Sequence, residues 1–229
     1  SSVVDVRSAG PGWPTNNLTP RGVVLNLGHG CWACFDVDLL RMSAIWSGPT
    51  ALTPVSMSHG SYHVPGVKAP EGQGRLPVPV GELWLANGLY PGWQPGLRPA
   101  NLDPRPPGPD PREPGRGPLP PDLGRFKAVR IAPAGVELDY DIAGIPIREC
   151  VEVRLQGGHA VIQRRITVGR HVEPLCLMLG MRPAGEAGSL AVAVDVEDTS
   201  GMVRGDHEID QHHGYVVRVP ASERPVVLR

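Results

Sequence analysis

"IRECVEVRLQGGHAVIQRRITV", Ile147 to Val168, decides the fold of this chain. Val151, Val153 and Leu155 alternate with Glu152 and Arg154. That period of two places apolar side chains on one face of a strand and charged ones on the other. Gln156-Gly157-Gly158-His159 follows, and paired glycines accept the positive φ that a two-residue hairpin loop needs. His159 to Val168 then supplies a second strand-length run. The stretch predicts two antiparallel strands joined by a tight turn.

The same pattern continues outward. "KAVRIAP" and "GVELDYDI" precede it, and "EPLCLMLG", "LAVAVDVE", "YVVRV" and "PVVLR" follow, with glycine-bearing turns between them. Upstream lie "SVVDVR", "RGVVLNL", "CWACFDVDLL" and "MSAIW". The one helix candidate covers Val37 to Ile45. Successive hairpins predict a meander over residues 127–229, and stacking two antiparallel layers buries their apolar faces. The expected fold is mostly β, an antiparallel β-sandwich with long Gly/Pro-rich loops, in a single domain over residues 1–229. A loop insertion is expected at 65–124. Its extreme is "DPRPPGPDPREPGRGPLPPD", Asp103 to Asp122, where proline removes backbone donors and excludes helix and central strand. An ordered loop of that length is uncommon and usually functional.

Composition narrows the classes. At 229 residues the chain is long enough to build a real core. Glycine (29) and proline (27) approach the range of disordered chains, but 41% hydrophobic residues and recurrent strand patterns favour a turn-rich globular protein. A net charge of −1 leaves no footprint for nucleic acid or an anionic membrane. No run of 18 apolar residues is present, so no membrane span is expected. Ser1 at the start is consistent with a removed signal segment or with a piece of a longer chain. Asn17-Leu18-Thr19 fits the glycosylation triplet, although Pro20 follows it directly. The expected location is outside the cytoplasm: periplasm, cell surface or extracellular space.

Three groups of residues invite chemistry. Cys31 and Cys34 form a Cys-x-x-Cys pair, but Phe35 follows where c-type haem attachment needs histidine, so no haem is expected here. Zinc would need Cys150 and Cys176 to converge from distant strands, and a redox dithiol wants a helix start. Buried small residues on a strand, with or without a disulfide, are the expected reading. The densest polar cluster is "GDHEIDQHHGY", where Asp206, His207, Glu208, Asp210, His212 and His213 could bind a divalent metal or lie in a solvated loop. His59 and His63 in "MSHGSYHVPG" are read as loop residues. Trp13, Tyr90 and Trp93 sit in Gly/Pro loops, where an aromatic ring either plugs into the core or offers a stacking platform to a sugar.

"RGVVLNL", "CFDVDLLRMSAIWSG", a Gly/Pro loop with "PGW", and "GPLPPDLGRFKAVRIAPAGVELDYDIAGIPIRE" together resemble an uncharacterised bacterial domain family. That family is the N-terminal domain of large exported proteins that continue into a sorbosone-dehydrogenase-like propeller and a c-type cytochrome. The resemblance covers Leu18 to Gly180 and is most specific at Phe35 to Arg41. It implies an exported setting associated with carbohydrate oxidation and carries no assigned activity. The propeller and haem segment are not among these 229 residues. Within the matching block, Asp36 and Asp38 would point the same way on an alternating strand, with Arg41 as partner in a structural polar network.

Two function classes follow. One is a non-catalytic exported module that recognises a carbohydrate or other extracellular polymer. The other is a self-associating subunit of a fibre or surface assembly, joined by strand addition at its terminal strands. A metal-dependent enzyme at 206–213 is a third.

Overall fold

The structure is a computed structural model and describes residues 2–54, 76–107, 116–133, 135–182, 203–209 and 212–229; for residues 182, 203–209, 212 and 213 it describes the backbone alone. It is an antiparallel β-sandwich of two sheets that do not close into a barrel. The predicted hairpin is present. β9 (Ile145–Gln156) and β10 (His159–Val168) pair with Val153 opposite Ile162, and Gly157 and Gly158 both take positive φ. With β7 (Gly124–Ala132), β8 (Gly135–Ile142) and β14 (Val226–Leu228) they form a five-stranded sheet in the order β14-β10-β9-β8-β7.

The larger sheet holds β1 (Ser2–Asp5), β2 (Leu18–Gly28), β3 (Cys31–Asp36), β4 (Arg41–Ser47), β5 (Glu82–Ala86), β6 (Trp93–Pro95), β11 (Leu175–Arg182), β12 (Val203–Ile209) and β13 (His212–Val219). Its order is β1-β2-β3-β4-β5-β11-β13-β12, with β6 also paired to β11. The meander expected over 127–229 therefore holds only for β7 to β10. After β10 the chain crosses to the larger sheet for β11, β12 and β13, and β14 returns to the smaller one. The expected insertion at 65–124 contributes β5 and β6 to the sheet rather than only looping out.

The helix candidate at Val37 to Ile45 is corrected: Val37 to Leu40 is a turn and Arg41–Ser47 is β4. The physical reason lies in the larger sheet, whose described central strands are covered on both faces. Leu25, Ala33, Phe35, Ile45, Leu177 and Val217 face Leu138, Tyr140, Ile147, Val151 and Ile166 of the smaller sheet. On the opposite face, Cys34, Ala44, Trp46 and Ala86 pack with Val4 and Val6 from the N-terminal segment. Strands buried on both faces lose the alternation that marks a half-exposed strand and read as continuous apolar runs. No α-helix occurs among the described residues, and none is long and apolar enough to cross a membrane.

Candidate functional site

The Phe35–Arg41 block builds a tight turn around a buried ion pair. Asp36 ends β3, and its Oδ1 accepts the backbone N–H groups of Asp38 at 2.9 Å and Leu39 at 3.3 Å. Leu40 takes a positive φ of 51°, and the chain re-enters as β4. Asp36 and Asp38 therefore do not share one strand face as alternation predicted, because the strand stops between them. Arg21 of β2 instead binds Asp38, with Nε donating at 2.7 Å. Burial pushes the Asp38 carboxyl above the usual carboxylate range, and the hydrogen bond from Arg21 pulls the other way. The Asp38 carbonyl accepts the Leu119 N–H at 2.9 Å, which docks the end of the proline tract on this turn. Asp103 and Arg105 hold the start of that tract: Arg105 Nε donates to Asp103 at 2.9 Å and its Nη1 donates to the Gly117 carbonyl at 2.6 Å.

Arg41 is 1% exposed, and its guanidinium is surrounded by acceptors. Nε donates to Asp36 Oδ2 at 3.1 Å, Nη1 to the carbonyls of Asn87 (3.1 Å) and Gly88, and Nη2 to Asn17 Oδ1 at 3.1 Å. The acceptors are themselves held. Asn17 Nδ2 donates to the Ser43 carbonyl at 2.9 Å, Asn87 Nδ2 to the Met42 carbonyl at 2.7 Å, and the Tyr90 hydroxyl to Asn87 Oδ1 at 3.0 Å. A charge this deep is tolerated only when it is both paired and fully hydrogen-bonded. The Asn17 amide is fully buried in this network, so the Asn17-Leu18-Thr19 triplet serves the fold and its side chain is closed to a glycan in the folded chain.

A second buried chain joins the two sheets. Trp93 Nε1 donates to the Tyr140 hydroxyl at 3.0 Å, that hydroxyl donates to Glu149 Oε2 at 3.0 Å, and Arg164 Nε donates to Glu149 Oε1 at 2.6 Å. Burial, reinforced by the Glu149 charge, raises the Tyr140 hydroxyl well above its ordinary value. Tyr90 and Trp93 are 2% and 3% exposed, so the stacking role expected for them is corrected: their rings fill the core and their polar atoms are spent on Asn87 and Tyr140. Trp13 is half-buried against the Val4 and Trp46 cluster.

The cysteines are four free thiols. Cys31 and Cys34 lie three positions apart on β3, so alternation sends them to opposite faces, with Cys34 among the residues behind the larger sheet. Opposite faces exclude a shared metal ion and a disulfide between them. Burial pushes the Cys34 thiol up to about 12. Among the described residues no group of three metal-binding side chains converges. The expected cluster at 206–213 falls on the β12–β13 hairpin, whose backbone pairs Asp206 with Tyr215, His207 with Gly214, Glu208 with His213, and Ile209 with His212. The side chains of those histidines and acids, together with Asp210, His59 and His63, lie outside the described residues.

The outer face of the smaller sheet is different in kind. Asp139 binds Arg130 and Arg148, and Asp141 binds Lys127, all near solvent. Between β9 and β10 this face is hollowed into a depression of about 250 Å³ lined by Cys150, Glu152, Arg154, Gln163, Arg165 and Arg229.

Asp36, Asp38, Arg41, Asn87, Trp93, Tyr140 and Glu149 all fall within residues 33–149, the segment matched by a family model described as a domain of unknown function, DUF6797. The chain belongs to the DUF6797 family. No match to it was found among curated proteins or among solved structures. The DUF6797 segment thus carries both buried polar chains except Asn17, Arg21 and Arg164, while the depression begins at Cys150, just after it. Glu149 and Arg164 were missed in the sequence although their parity was legible. Glu149 sits between Ile147 and Val151, and Arg164 between Ile162 and Ile166, each at an inward position. Asn17 and Asn87 carried no comparable signal.

Proposed function

We propose that this DUF6797 chain is a non-catalytic, exported β-sandwich module that recognises a carbohydrate or another extracellular polymer. The observation that carries the reading is the contrast between its two kinds of polar surface. The buried ionisable residues of the DUF6797 segment are tied to one another and to backbone, as structural networks are. The outer face of the smaller sheet is open, charged and hollowed. Rigid strands presenting polar side chains to solvent suit recognition of a hydroxyl-rich ligand. The resemblance to the N-terminal domains of large exported proteins supports the setting outside the cytoplasm. Glycan-array binding and saturation-transfer NMR on the whole chain test it. Saturable binding to at least one polymer is expected, and silence across neutral and charged glycans would overturn it.

A second reading, a self-associating structural subunit, is favoured by β7. This strand lies at the edge of its sheet, and Ile131 on it is 94% exposed, with Val129 at 44%. An open edge with exposed apolar residues is a template for strand addition. The terminal strands first considered for that role, β1 and β14, also lie at sheet edges. Light scattering of the wild-type chain and of Ile131→Lys distinguishes the readings. Concentration-dependent growth that Ile131→Lys abolishes supports assembly, and a monomer at high concentration removes it.

A further inference from the structure

We infer that the depression on the outer face of the smaller sheet is a binding site for a carboxylate-bearing sugar residue of a polymer. This inference rests on the recognition reading above and names its ligand class. Register alone brings the lining together. Arg165 of β10 stands opposite Cys150 of β9, Gln163 opposite Glu152, and Arg154 opposite Val161. Arg229 follows Leu228, which pairs with Ile166, so it borders the same patch from β14.

Charge selects the ligand. Three guanidiniums, of Arg154, Arg165 and Arg229, stand around the hollow with two carboxylates, Glu152 in the lining and Glu137 opposite Cys150, so positive charge is in the majority there. Glu152 is engaged by Arg154, with Nε donating at 2.8 Å, which orients that guanidinium along the wall. The remaining polar lining does not oppose an anion. Burial, with Glu152 and Glu137 nearby, keeps the Cys150 thiol above its ordinary value and therefore neutral. Gln163 brings an amide that both donates and accepts, the capability needed to read a hydroxyl.

Shape and chemistry then agree. A guanidinium fork matches a carboxylate in two parallel hydrogen bonds, which a neutral sugar cannot offer. A hollow of about 250 Å³ lies just under the range of drug-sized sites, so it suits one sugar residue of a chain that passes on over the open sheet. No aromatic ring lines it, so affinity rests on ion pairs and falls as salt screens them.

The test is calorimetric titration of the whole chain with oligogalacturonate, neutral dextran oligomers and a sulfated oligosaccharide at two salt concentrations. Oligogalacturonate is expected to bind, to weaken about tenfold or more in Arg165→Gln and in Arg154→Gln, and to weaken in higher salt. Arg170→Gln, an exposed arginine outside the lining, should leave binding unchanged and shows that any loss is local. Preference for neutral dextran, preference for the sulfated ligand, or uronate binding indifferent to Arg165 and Arg154 would overturn the inference while leaving polymer recognition standing. Absence of binding to any polymer would sink both.

Discussion

Arg41 is the residue on which the larger sheet turns. Its guanidinium collects the start of β2 through Asn17, the β3–β4 turn through Asp36, and the loop after β5 through Asn87 and Gly88. Deleting one member of a buried pair leaves the other charged and unpaired, so Asp36→Ala should cost about 3–5 kcal/mol. Urea unfolding of Asp36→Ala, Arg41→Met and the double variant checks this, with the double expected to cost less than the two single losses combined. Cys34 makes a second prediction. Its thiol moves from 9.0 in the ordinary case up to about 12 in the fold. Above the ordinary value the unfolded chain has released this proton while the folded chain keeps it. The unfolded state then binds fewer protons, and stability falls as pH rises. The loss approaches about 1.4 kcal/mol per pH unit for this one group. Burial of the Tyr90 hydroxyl, pushed up to about 12, acts in the same direction. Urea midpoints between about pH 8 and about pH 10.5 should decline less steeply in Cys34→Ala than in wild type, and equal slopes would refute the assignment.

At the scale of elements, the hairpin turns decide register. Gly157-Gly158 was recognised from sequence because both residues are glycine. His29-Gly30 and Ala143-Gly144 adopt the same pair of positive φ values with a side chain at the first position. Ala143, at φ 47, pays a steric cost that asparagine tolerates better. Ala143→Asn should therefore stabilise the chain by about 0.5–1 kcal/mol, measured as a rise in the urea midpoint with unchanged slope. Gly92 poses the opposite constraint. A Cβ there would overlap the Leu40 carbonyl and the Arg41 backbone, so Gly92→Ala should force "PGW" off β4 and lower stability. The same residues explain a misreading. Once Asp36 captures two backbone N–H groups, "VDLL" becomes a turn, and the apolar stretch after it continues as a strand instead of a helix.

For the molecule as a whole, one hydrophobic cluster spans both sheets, and the Trp93–Tyr140–Glu149 chain crosses it. Neither sheet can expose its inner face without breaking that shared core. Tryptophan fluorescence and far-UV circular dichroism should report coincident urea transitions, and two separated transitions would show that the sheets unfold independently. What the amino-acid order determined by itself was local: strands from alternation, turns from paired glycines, the absence of a haem-attachment motif from the residue after Cys34, and an inward parity for Glu149 and Arg164. Tertiary structure alone decided which sheet each strand joined, that Asn17, Tyr90 and Trp93 lie inside, and which arginines share a hollow. The reason is that alternation specifies the face of a strand but not its neighbour, and burial of a polar group is set by partners that lie tens of residues away.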